Sequence, residues 1–196
     1  VRGALAKHAE ATYLALPSDA HRALAHFLLL RLIEPGATEQ DTTRRRANSA
    51  DLVLTDGAAS ARLTEVRQAF TEARLLTADR VGEIETVEVS HEALIREWGR
   101  LKVWLSEGRE GIRAQQIVAQ DAAEWRRKGK RPDDLYRGSK LIDAQEWAKR
   151  GSASGLEAEF IAASEAAEQA RAADEQGRID QLRRMEVGAR RTRQRL

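Results

Sequence analysis

The 196-residue chain contains no cysteine. That absence excludes disulfide scaffolds, zinc–thiolate sites and cysteine nucleophiles, and it suits a reducing compartment. Proline occurs three times and aromatic residues make up 5%; an all-β sandwich needs more β-branched and aromatic residues. The longest apolar run is Phe27-Leu28-Leu29-Leu30, far short of the roughly 20 residues a bilayer-spanning helix needs. Residues 1–16 lack a secretory apolar region. Neither sign of charge dominates. Lys+Arg 33 against Asp+Glu 31 leaves +2, which excludes binding through bulk positive charge alone.

What is present is alanine and charge. The chain has 34 Ala, is 33% charged, and uses 27 Arg to 6 Lys. This is the composition of a helix-rich protein. The length suits one domain, or a small domain with a helical annex. Because the first residue is Val1, the chain is expected to be excised from a longer protein.

Apolar spacing predicts the elements. Leu5, Ala9, Thr12, Tyr13 and Leu16 mark a helix over 2–16, stopped by Pro17. Ser18 or Asp19 caps a second helix through Ile33, with Leu24, Phe27, Leu28 and Leu32 inside and Arg31 outside. Pro35-Gly36 ends it. Thr42 and Thr43 cap a third helix from Arg44 to about Leu54, and a fourth runs from about Ala61 to Ala73. The period then changes to two, and residues 75–89 read as a β-hairpin around Gly82. Helices followed by a hairpin give the order of a winged helix-turn-helix, with 61–73 in the recognition-helix position.

Ser90 caps an amphipathic helix carrying Leu94, Ile95, Trp98, Leu101 and Leu105. Further helices follow at 109–128, after Gly108, and at 138–150. Residues 151–155 form a flexible break. From Leu156 the chain is rich in Ala, Glu and Arg, and residues 178–196 carry seven Arg against Asp180 and Glu186. They read as a protruding helix with a basic end. Glu97-Trp98-Gly99-Arg100, Glu124-Trp125-Arg126-Arg127 and Glu146-Trp147-Ala148-Lys149 echo one another. The simplest reading is that each helix places a Trp near its end to fill the core.

The fold class expected is mainly α: a winged helix-turn-helix with one short β-hairpin, then a helical extension. The expected divisions are a connecting helix at 1–16, a winged-helix domain at 17–106, a helical subdomain at 107–164 and a basic-ended helix at 165–196.

No nucleophile elbow, Walker A loop, dinucleotide fingerprint or zinc-protease motif occurs. No catalytic residue and no metal ligand set is therefore expected. His21 and His26 are five apart and do not share a helix face; His8 and His26 suit helix packing or the surface. Arg44-Arg45-Arg46 would put three cations at the positive end of a helix dipole, so an anion, an acidic partner or nearby Asp41 and Glu39 must compensate. His91 follows a strand and precedes a helix, where it can meet a phosphate or simply pack against the wing. The hairpin, 79–90, sets Asp79, Glu83, Glu85 and Glu88 against Arg80, which argues against duplex binding by wing and helix.

The run Thr86-Val87-Glu88-Val89-Ser90-His91-Glu92-Ala93-Leu94-Ile95-Arg96-Glu97-Trp98, with Leu101 and Trp104-Leu105, resembles the region that follows the nucleotide-binding domain of bacterial novel STAND NTPases. His8-Ala9-Glu10 with Tyr13, Thr43 to Arg46, Leu135 to Gly138, Glu146 to Ala148 and Leu156 to Ser164 extend the resemblance. STAND proteins are ATP-driven switches built from a P-loop ATPase, a winged-helix arm and a sensor, often a WD-repeat propeller. The resemblance implies a regulatory, non-catalytic arm of a cytoplasmic signalling protein. It implies an upstream NTPase domain in cis that holds ATP or ADP with Mg, since no cofactor site falls in this chain, and a downstream sensor. In related apoptosome and plant resistance proteins a winged-helix His touches the ADP phosphates, so His91 would sense nucleotide. Two alternatives stand beside it: a DNA-binding transcription regulator, and a scaffold that dimerises through 156–188.

Overall fold

A computed structural model describes residues 3–36, 41–149 and 153–193, without the side chains of Val81 and of 187–193. Chain order starts with helix α1, Ala4–Leu14, and helix α2, Asp19–Arg31. The Ser18 hydroxyl accepts from the His21 amide and so caps α2. Short strands β1, Ile33–Glu34, and β2, Thr43–Arg44, pair antiparallel. Strand β3, Ala47–Asn48, leads into a 3-10 turn at Ser49–Leu52. Helix α3, Gly57–Glu72, is capped by the Asp56 carboxylate, which accepts from the Ala58 amide. Strands β4, Leu76–Val81, and β5, Ile84–Val89, form the hairpin. Gly82, at φ +65°, supplies the positive φ its two-residue turn needs. Beyond it come α4, Glu92–Glu97, α5, Gly99–Arg127, α6, Gly138–Ala148, and α7, Gly155–Arg193.

The molecule is mainly helical, with two small antiparallel sheets. In the larger sheet the order is β3-β5-β4. Thus β3, which precedes α3 in sequence, pairs with the last strand of the hairpin, Ala47 opposite Val87 and Asn48 opposite Thr86. That pairing overturns the helix expected from Arg44 to Leu54. Those residues are extended up to Asn48, whose side chain then accepts from the Ala50 amide and starts the 3-10 turn. Local helix propensity lost to a ladder with a distant strand.

The helix boundary expected at Gly108 is also displaced. α5 runs through Gly108 and Gly111 without interruption, and the break falls at Trp98, whose backbone is extended. Trp98 is buried, and its indole anchors the kink to the core. Ser90 does not cap α4: its hydroxyl pairs with Thr77 at 2.8 Å, and the N-cap position falls on His91.

Two apolar cores share the long α5. The first gathers α1, α2, α3, the hairpin, α4 and the start of α5 around Leu28, Leu29, Val66, Phe70, Val87, Val89 and Trp98. The second gathers the end of α5, α6 and the start of α7 around Ala122, Trp125, Tyr136, Leu141, Trp147 and Phe160. Trp98, Trp125 and Trp147 are all buried, as expected of ring fillers placed near helix ends.

A buried ion pair stitches the two cores. Arg31 at the end of α2 donates two parallel bonds of 2.7 Å to the Glu157 carboxylate in the first turn of α7. The side chains are 5% and 2% exposed. The Ser154 amide donates to the same carboxylate at 2.7 Å, and the Gln115 amide group at 3.4 Å. Phe27 lies under the guanidinium at 4.2 Å. Arg31 is therefore inside rather than outside. It stands seven residues after Leu24 on the same stripe as Phe27 and Leu28, so the helical spacing puts it on the buried face. Gly155 completes the junction: its amide donates to Val53 O at 2.7 Å, and an added Cβ would sit 3.2 Å from that oxygen.

Removing one partner of such a pair strands a buried charge. Arg31→Met alone, or Glu157→Leu alone, is expected to cost about 3–5 kcal/mol, with most of the loss recovered in the double variant. Urea unfolding of the four proteins checks this; a double variant whose loss equals the sum of the two would contradict it.

Candidate functional site

His91 lies at the junction of β5 and α4, with extended backbone at φ −137° and ψ 127°. Val89 before it is buried and holds the strand end in the core. The imidazole is exposed and has no hydrogen-bond partner among the described residues. No side chain caps the helix that follows. That helix has only six residues, so its dipole adds little pull on an anion.

What holds this junction is a clamp between α1 and the α4–α5 kink. Glu10 on α1 accepts from the Trp98 indole N–H at 2.7 Å and from the Arg100 guanidinium. The Arg100 guanidinium also stacks on the Tyr13 ring at 4.4 Å. Trp98 meets Tyr13, Phe70 and Trp104 in a cluster of tilted and edge-on rings with centroids 5.7–6.4 Å apart. At the far end of α4 the Glu97 carboxylate accepts from the Gly3 amide at 3.2 Å. These contacts fasten α1 to both ends of the helix that His91 starts.

The other histidines pack. His8 bonds Ala73 O at 2.9 Å, fastening α1 to the end of α3. His21 bridges Ser18 and Glu65, joining α2 to α3. His26 rests edge-on against Trp104, ring centroids 4.7 Å apart.

The arginine triplet does not act as a unit. Arg44 ends β2, and Arg45 and Arg46 lead from it into β3. Arg44 and Arg46 both reach Glu88 on β5, at 3.9 and 3.1 Å. The Arg45 amide donates to Leu32 O at 2.7 Å, and Arg45 and Arg46 both line a groove of about 540 Å³ together with Asn48, Arg127 and the buried Glu157. The carboxylate that Arg44 and Arg46 share is Glu88, 42 residues beyond Arg46. Of the carboxylates expected to compensate, Glu39 lies outside the described residues.

The presumptive recognition helix is similarly engaged. Arg67 donates to Ser49 and to Glu85 on the hairpin. Among the described residues no group of three or more His, Asp or Glu forms a metal cage.

The model of the family novel STAND NTPase 1 matches residues 1–133. The chain belongs to this family. No curated protein and no solved structure matches. The nSTAND1 match takes in the whole first core and all of α5, and ends inside the 3-10 turn at Pro132–Asp134. His91, the Glu10 clamp and the arginine triplet all fall within it. The Arg31–Glu157 pair joins this nSTAND1 region to the segment beyond it.

Sequence reading missed the clamp. The one available signal is Glu97-Trp98-Gly99-Arg100, where a Trp and an Arg two residues apart bracket a helix break.

Two groups with shifted titration contribute to how the nSTAND1 fold responds to acid. The hydrogen bond from Arg100 holds the Glu10 carboxyl below its ordinary value of 4.5. Its contribution is complete above that value and is lost as pH falls through the lower folded value. Burial depresses the His26 imidazole below 6.5, against a weaker opposing pull from Glu107. The folded state thus favours neutral His26, and stability is lost as pH falls below 6.5. His26→Gln is expected to flatten the loss of stability between about pH 7 and 5, and Glu10→Gln the loss below about 4.5. Urea midpoints across pH check both; unchanged slopes would contradict them.

Proposed function

We propose that this chain is the regulatory winged-helix and helical arm of a STAND-type ATPase, relaying nucleotide state to a sensor or effector domain. The observation that carries the reading is the family match across the whole first core. The fold supports it. A helix, an edge strand, a short 3-10 turn, a second helix and a hairpin whose last strand is central follow one another in 19–89, which suits a winged helix with a shortened middle helix.

On this reading the upstream NTPase domain holds ATP or ADP with Mg, and its residues do the hydrolysis. This chain is non-catalytic. Its own contribution is His91, whose exposed, unpartnered imidazole suits a donor to a phosphate oxygen. The resemblance, not the six-residue helix behind it, supports that role. The Glu10–Trp98–Arg100 clamp supplies the mechanical link. A pull on α1 reaches the His91 junction directly, and α5, 29 residues long, carries it to the second core. The downstream partner on this reading is a sensor such as a WD-repeat propeller, and the setting is cytoplasmic. Among the described residues no helix is long and apolar enough to cross a membrane.

Joined to its NTPase domain, the wild-type arm is expected to retain ADP through purification, and His91→Ala to release it at least tenfold faster. Release is read with a fluorescent ADP analogue. Unchanged release would remove His91 from the nucleotide site. A DNA-binding role predicts instead that the chain binds duplex at low salt and loses it steeply as salt rises. The engagement of Arg46 by Glu88 and of Arg67 by Glu85 works against that outcome.

A further inference from the structure

Arg45 is half-buried, and folding leaves its guanidinium without a counter-charge. Its backbone is fixed by the bond from its amide to Leu32 O. The guanidinium itself has no hydrogen bond, ion pair or ring contact among the described residues. Arg22, Arg67 and Arg100 are half-buried too, and each holds a carboxylate. A charge taken partly out of water without a partner is costly, so the place where it stands is informative. Arg45 lines the groove of about 540 Å³ whose walls come from β3, α5 and the first turn of α7.

The carboxylates that line this groove are already paired. Glu157 is held by Arg31, Asp51 by Arg126 at 2.9 Å, and Glu124 by Lys128 at 2.8 Å. Arg46 turns to Glu88. Arg127 has only a 3.8 Å contact with Glu124, which Lys128 already holds. Arg45, with Arg127, therefore remains for an anion. Asn48 adds a donor: its side-chain oxygen accepts from the Ala50 amide, which leaves its NH2 group. A guanidinium matches phosphate oxygens two at a time. The groove is larger than a bare ion needs and lies in the size range of small-molecule sites. No aromatic ring lines it, so it offers no stacking face for a nucleobase. Gln115 and Gln120 on its wall suit hydroxyl groups instead. We infer that this groove binds a small phosphate monoester with a polar, non-aromatic body, of the sugar phosphate class, its phosphate on Arg45 and Arg127. The site shares no lining residue with the His91 junction and does not rest on the nucleotide relay.

Isothermal titration of the 196-residue chain with a hexose phosphate, inorganic phosphate, ADP and the unphosphorylated hexose tests it. The hexose phosphate is expected to bind at least tenfold more tightly than the other three. Arg45→Gln is expected to weaken it at least tenfold and Arg127→Gln at least threefold, with urea midpoints showing that both variants fold. Arg80→Gln, on the hairpin and outside the groove, is expected to leave it unchanged. In an isotope-labelled wild-type chain the hexose phosphate should move the amide signals of Ala47, Asn48 and Gln120 and leave that of His91 in place. Inorganic phosphate binding as tightly as the hexose phosphate would mean an adventitious ion only. That result, no binding at millimolar hexose phosphate, ADP binding as tightly, unchanged binding by Arg45→Gln, or signal changes confined to other residues would each overturn the inference.

Discussion

The start of α7 is tied to the first core by the buried contact between Arg31 and Glu157. Two opposite charges have been taken out of water, and their attraction roughly offsets that desolvation. The net gain is small, but the geometry is demanding. A bidentate guanidinium–carboxylate pair tolerates little rotation, so the end of α2 and the first turn of α7 are held in one register. Ser154 and Gln115 fill the remaining acceptor positions of the carboxylate. An apolar contact at this point would slide more easily. The ion pair adds a second tie between the two cores beside α5, which runs through both.

The second constraint is the aromatic clamp at Trp98. A helix that broke at a glycine would leave its two halves free to swing. Here the break is at a buried indole that is hydrogen-bonded to Glu10 and packed on three rings. The kink between α4 and α5 is consequently stiff, and its orientation depends on where α1 lies.

Much of this architecture is legible along the chain. Ser18 before α2, the period-two residues of the hairpin and the Leu63, Val66 and Phe70 stripe of α3 each specify a local element by capping or by periodicity. The stretch from Thr43 to Leu52 was not legible as strand. It contains Arg, Ala and Leu, which favour helix, and two-residue strands are too short to show an alternation. Its extended form depends on pairing with Val87 and Thr86, some 40 residues away. Gly108 misled in the opposite direction, because α5 continues through it despite the roughly 1 kcal/mol a glycine costs a helix. His91 was visible as a position after a strand and before a helix, but its exposure and lack of a partner are properties of the folded surface.

The sequence by itself determined the helical class, the hairpin, the aromatic and apolar stripes and the family, because these rest on composition and on residues close in the chain. Tertiary structure alone decided which charges meet. Arg44 and Arg46 find Glu88, Arg100 finds Glu10, and Arg31 finds Glu157 126 residues later. Periodicity places a side chain on a face of its own element. It does not say which other element covers that face, and for a charged group the covering partner determines whether burial is tolerated at all.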